Sequence, residues 1–128
     1  MDLEQEKKAW RDVKFGKKFL NAFRGVYVLL AIIKTRDLLI YAAAVVIFPV
    51  LGFYFHVSSF EWIALIFAIG LVIIAEAFNT AIEIDIDLTS PEYHPYARDT
   101  KDVAAAAVLL SVLVAIIIGL IVFLPKIL

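Results

Sequence analysis

Three uninterrupted apolar runs limit what this chain can become. Residues 38–60 and 103–125 contain no Lys, Arg, Asp or Glu. Between them, residues 62–84 form a run that carries two carboxylates, Glu76 and Glu83. Crossing the hydrocarbon of a bilayer as a helix takes roughly 20 residues, and each run is long enough. Backbone amides in lipid have no water to bond, so a spanning segment must satisfy them internally, as a helix does. The runs are continuous rather than alternating, which argues against a barrel of strands. Composition agrees: 63% of the 128 residues are hydrophobic, against about 45–50% in soluble domains. The pattern predicts an all-α membrane protein with three transmembrane helices, the first holding Pro49 and Gly52 as kink points. A water-soluble enzyme is excluded. The absence of cysteine also excludes disulfides, thiolate metal sites and cysteine nucleophiles.

Ahead of the spans, residues 3–34 mix bases with Trp10, Val13, Phe15, Phe19, Leu20, Phe23 and Val26. The spacing of Phe15, Phe19 and Phe23, and of Val13 and Leu20, predicts an amphipathic helix on a membrane surface, its lysines toward water. A cleavable signal peptide is not expected, because the charged segment is too long and no small-residue cleavage site follows an apolar core. Net charge is −1, yet nine of the 12 Lys and Arg residues precede Asp37. Attraction to anionic lipid accounts for those bases, and no nucleic-acid partner is expected. Counting Lys and Arg in the short flanks sets the orientation. The N-terminus and the connection at 84–102, which holds Arg98 and Lys101, face the cytoplasm. The turn at 56–61 has neither base and faces outside with the C-terminus. Trp62 then sits in an outer aromatic belt.

The second span carries the chemistry. On a helix turning about 100° per residue, Glu76, Asn79, Thr80, Glu83 and Asp87 fall on one narrow face, with Asp85 opposite. An ionisable side chain in a span costs roughly 2.5–3.5 kcal/mol even on lenient insertion scales, so something must compensate this stripe. Hard oxygen ligands without Cys or clustered His select Mg²⁺, which usually keeps company with phosphates. A carboxylate placed as deep as Glu76 is also a candidate general base. The bland alternative is that these acids pair with Lys101, Arg98 or an N-terminal lysine inside a helix bundle.

The connection from Leu88 to Asp102 is polar and turn-rich, with Ser90-Pro91 and His94-Pro95 as breakers. Lys101-Asp102 stands at the start of the third run. The base suits a phosphate, and the acid either orients that base or caps the helix. His94, a lone histidine beside proline, reads as a satisfied turn residue. The five glycines are scattered, and neither Gly-x-x-x-x-Gly-Lys nor Gly-x-Gly-x-x-Gly occurs. Nucleotide handling would therefore rest on carboxylates, metal and bases at the membrane edge.

At these residues the sequence resembles a known family, the small three-span prokaryotic lipid kinases, which comprise diacylglycerol kinases and undecaprenol kinases. The likeness is carried by Glu76-x-x-Asn79-Thr80-Ala81-Ile82-Glu83, then Asp87, then Pro91-Glu92-Tyr93-His94-Pro95, then Lys101-Asp102-Val103-Ala104-Ala105-x-Ala107-Val108-Leu109. In architecture it runs from about Phe19 to the C-terminus. It implies a homotrimeric helical bundle in the prokaryotic inner membrane, with sites at the cytoplasmic edge, partly between subunits. By this resemblance Glu76 takes the proton from a lipid hydroxyl, Asn79 orients the reacting groups, and Glu83 holds Mg²⁺ on the phosphates of ATP. Lys14, Glu83, Glu92, Tyr93, His94, Lys101 and Asp102 would contact the nucleotide. Residues 1–128 would form one membrane-embedded kinase domain, with a surface-helix region at 1–36 and the three-span bundle at 37–128.

The sequence departs from that family in two places. Its second metal-binding Glu usually sits in a Thr-Glu-Arg-Asn-like stretch before the first span. Here Lys34-Thr35-Arg36-Asp37 occupies that stretch, and no glutamate occurs between Glu6 and Glu61. Asp37 is the candidate substitute, its alternative role being to cap the first span. A histidine that often begins that span is replaced by Tyr41. The Pro-Glu-Tyr-His-Pro loop and the Lys-Asp-Val-Ala-Ala run look more like undecaprenol kinases than diacylglycerol kinases. The expected reaction is ATP-dependent phosphorylation of a membrane lipid alcohol, undecaprenol first and diacylglycerol second. A non-catalytic scaffold of the same fold would explain the missing glutamate but not the acid stripe. An ion or proton conductor would explain Glu76 but not the loop with Glu92, His94 and Lys101.

Overall fold

A computed structural model describes residues 2–11 and 15–128. Helices make up most of them, and no strand occurs among the described residues. Residues 1–33 and 34–128 form two compact units.

The first unit holds α1 (Leu3–Arg11) and α2 (Phe15–Ile32). The helical expectation for residues 3–34 is met on both sides of residues 12–14, which lie outside the described residues. The charges of α1 favour its helix. Asp2 accepts from the amides of Glu4 (2.8 Å) and Gln5 (2.9 Å) at its start. Acids fill its first turn and Lys8 and Arg11 its last, the order that complements the helix dipole. Along α2, Leu20, Phe23, Val26 and Tyr27 stand exposed, an apolar face of the kind that a lipid surface covers.

The second unit holds α3 (Thr35–Tyr54), α4 (Ser59–Thr89) and α5 (Pro95–Ile127), each long and apolar enough to cross a membrane. The first span stops at Tyr54 rather than at residue 60. His56 takes a left-handed backbone (φ 52°), and a capping box starts α4 at once. The Ser58 hydroxyl accepts from the Glu61 amide (3.2 Å), and the Glu61 carboxylate accepts from the Ser58 amide (2.8 Å). Helix α3 runs through both Pro49 and Gly52.

The connection between α4 and α5 is also shorter than its polarity suggests. Helix α4 persists to Thr89, and α5 already begins at Pro95, a residue suited to a first helical position. His94 is the N-cap of α5, its side chain accepting from the Tyr96 amide at 3.2 Å. Asp102 therefore lies inside α5 and does not cap it. Nor does Asp37 cap α3: Lys34 holds that position, and Asp37 sits in the first turn. At about 1.5 Å per residue, α4 and α5 are roughly 46 and 50 Å long, against about 30 Å of hydrocarbon. Their polar ends, carrying Glu83, Asp87, Arg98 and Lys101, extend beyond the apolar stretches.

Helices α4 and α5 pack along their length, while α3 meets α4 more sparsely. The core gathers at the end away from the carboxylates, where Val57, Leu65, Val122 and Phe123 are buried against Phe48, Leu51, Phe55, Trp62 and Ile118. Lys126 of α5 pairs there with Glu61 of α4 at 3.2 Å. Gly52 admits the Trp62 ring: a Cβ would stand 2.5–3.0 Å from three of its atoms. Gly52→Ala is expected to destabilise the protein by about 1–3 kcal/mol through overpacking, read as a lower melting temperature in detergent.

Candidate active site

Glu76 lies on α4, half-buried, in the middle of an otherwise apolar stretch. Its Oε2 accepts a hydrogen bond from the Tyr41 hydroxyl of α3 at 2.9 Å. One turn further along α4, Asn79 is 9% exposed, and its Nδ2 donates to Glu83 Oε1 at 3.4 Å. The predicted stripe is thus a physical face, since residues four apart on a helix meet. Asn79 Oδ1 is buried without a hydrogen-bond partner among the described residues. It lines a groove along α4 and α5 with Ala75, Phe78, Ala104, Ala107 and Ser111. Asp37 is half-buried in the first turn of α3, one turn before Tyr41.

The polar end of the helix pair forms a cleft of about 270 Å³. Five of the residues expected to contact nucleotide line it together: Glu92, Tyr93, His94, Lys101 and Asp102. Lys101 Nζ forms an ion pair with Asp87 of α4, and Glu83 lies within electrostatic reach of it. The Arg98 guanidinium bonds Asp99 at 2.9 Å and donates to the Tyr93 hydroxyl at 3.3 Å. Two cations and an imidazole among carboxylates suit a phosphate-bearing ligand. Lys14 lies outside the described residues.

No group of three or more His, Asp or Glu side chains converges as a metal site among the described residues. A Mg²⁺ ion held by one or two carboxylates plus substrate phosphates needs no such group. Glu83 fits that role, being an exposed carboxylate already oriented by Asn79.

Sequence reasoning gave no site role to two participants, Arg98 and Tyr41. Arg98 lines the cleft and steadies Tyr93, and its signal was a base one helical turn before Lys101. Asp87 pairs with Lys101, the ion pair that the sequence offered as the alternative role for the acid stripe. Tyr41 reaches Glu76 from a different helix, and its sign in the sequence was that it stands where the family often has a histidine.

The chain matches the sequence pattern of the prokaryotic diacylglycerol kinase family over residues 20–123. It is 37% identical over 113 residues to the undecaprenol kinase of Bacillus subtilis strain 168, covering 88% of this chain and 90% of that protein. It is 36% identical over 74 residues to the diacylglycerol kinase of Escherichia coli strain K12, covering 58% of this chain and 61% of the relative. The Synechocystis diacylglycerol kinase is 40% identical over 74 residues, covering 57% and 42%. No solved structure matches. With three spanning helices, an acid stripe on the second and a match over most of its length, this chain belongs to the prokaryotic diacylglycerol kinase family of membrane lipid kinases.

Proposed function

We propose that this enzyme transfers the γ-phosphoryl group of ATP to the hydroxyl of undecaprenol, on the cytoplasmic side of the inner membrane. The observation that carries the reading is Glu76: a carboxylate deep in a span, with one oxygen held by Tyr41. The choice of lipid is supported by the undecaprenol kinase relative, which matches nearly the whole chain.

The work of the residues follows from their positions. Glu76 removes the proton of the lipid hydroxyl as that oxygen bonds to the γ-phosphorus. The bond from phosphorus to the bridging oxygen breaks, and ADP leaves. Asn79 orients Glu83, and Glu83 would hold the Mg²⁺ that accompanies ATP. When bound, the ion neutralises charge on the phosphates, the main demand of phosphoryl transfer. Lys101 and Arg98 supply further positive charge, while Tyr93 and His94 shape the outer cleft beside Glu92 and Asp102. A homotrimer is part of the proposal. Asn79, whose Oδ1 is buried without a partner among the described residues, lines a groove where Ala75, Ala104 and Ala107 leave room for another helix to approach.

The test is a phosphorylation assay with purified protein, ATP and Mg²⁺, offering undecaprenol and diacylglycerol side by side. Preferential labelling of undecaprenol supports the reading. Preferential labelling of diacylglycerol changes the substrate, and transfer to neither by folded protein defeats the reading.

Asp37 is proposed as the second carboxylate toward the metal. An octahedral Mg²⁺ shell gives up each water reluctantly, so losing one ligand weakens its hold. Asp37→Asn is expected to raise the half-saturating Mg²⁺ concentration about tenfold, with Asp37→Glu tolerated. An unchanged Mg²⁺ titration with a lower melting temperature would show Asp37 to be structural.

A further inference from the structure

We infer that Tyr41 is the positioning residue for Glu76, aiming its carboxylate at the lipid hydroxyl through the bond between α3 and α4. The inference rests on the reading of Glu76 as the base. Tyr41 and Glu76 are 35 residues apart in sequence, and their hydroxyl–carboxylate distance is 2.9 Å. Both sit within apolar helices, where water cannot replace a lost bond. A glutamate side chain turns about three bonds, and a carboxylate left free in an apolar span would adopt many orientations. The bond to Oε2 removes most of that freedom. The other oxygen, Oε1, takes no donor among the described residues and remains for the substrate proton.

The surroundings of the ring support an aiming role over simple packing. Tyr41 is only half-buried, and it borders an apolar cavity of about 150 Å³ with Ile40, Ala44, Val45, Ile73 and Val112. A ring filling space would sit in that cavity without needing an oxygen; here the oxygen reaches across to the stripe. Asp37 lies one turn earlier on the same helix. Helix α3 therefore contributes chemistry as well as a span. Misplacing a reacting group by about 1 Å can lower a rate on the order of 100-fold, the scale at which this bond would register.

The experiment uses the full-length protein in detergent with ATP, Mg²⁺ and the lipid it phosphorylates. Tyr41→Phe keeps the ring beside the cavity and removes only the donor. It is expected to lower kcat about 10- to 100-fold, leaving KM for ATP unchanged. Tyr41→His, which restores an N–H donor, should recover part of the lost kcat. Tyr41→Phe combined with Glu76→Gln should be no worse than Glu76→Gln alone, because the two act through one group. An unaltered kcat in Tyr41→Phe, beside an inactive Glu76→Gln, overturns the role of Tyr41 alone. So does a loss that tracks a lower melting temperature and that Tyr41→His does not recover. Normal turnover in Glu76→Gln removes the reading of the base, and this inference with it.

Discussion

Glu76→Gln is expected to lower lipid phosphorylation by about 100- to 10,000-fold, the usual contribution of a positioned general base. Glutamine has the same shape, and its carbonyl oxygen can still accept from the Tyr41 hydroxyl that now meets Glu76 Oε2. What it cannot do is carry away a proton. The helices should therefore remain folded, and removing a charge from an apolar span should leave the melting temperature equal or higher. ATP binding should persist, because the cleft of Lys101, His94 and Glu92 lies at the opposite, Asp87 end of the stripe and Glu76 does not line it. Turnover with labelled ATP, calorimetric titration of nucleotide and a melting curve check the three parts. A folded Glu76→Gln enzyme with ordinary turnover would remove Glu76 from the chemistry.

The second large effect belongs to Lys101. In Lys101→Ala the cleft loses a cation, and Asp87, its ion-pair partner, is left facing the phosphates. Both changes repel the same ligand. The expected loss is on the order of 100-fold in kcat/KM for ATP, comparable to deleting one charge-stabilising donor from an active site. Stability should barely change, since exposed ion pairs contribute little. Lys101→Arg should retain most of the activity, and Asp87→Asn should fall between the two. Equal kcat/KM in wild type and Lys101→Ala would show the pair to be a surface contact only.

The spans were legible because hydropathy acts over whole helices: an uncharged run of that length has few other solutions. Their ends were not. Phe55 and Val57 continue the first apolar run in sequence, yet they fold over as core beneath Trp62 and Phe123. The cue was local, Ser58 followed three residues later by Glu61, and the apolar run masked it. At the opposite end, polarity made residues 95–102 look like loop. Polar residues also extend helices into water, and Pro95 behind a capping His94 is such a beginning. The acid face was readable because Asn79 and Glu83 are one turn apart. The Lys101–Asp87 pair was readable as a charge partner for the stripe, whereas the Tyr41–Glu76 contact joins different helices and only the packing of α3 on α4 reveals it.

The uneven distribution of the core also implies an uneven resistance to opening. Aromatic packing and the Lys126–Glu61 pair bind the three helices together at one end. Toward the other end, an apolar cavity separates parts of α3 from its neighbours, and the Tyr41–Glu76 bond crosses between α3 and α4. Local opening draws on the regions with the fewest buried contacts. Amide hydrogen exchange should therefore be slow around Leu65 and Val122 and faster in the first turns of α3. A hinge fixed at the aromatic end would let α3 swing aside and readmit a bulky lipid to Glu76 at each turnover, without loosening the rest of the bundle.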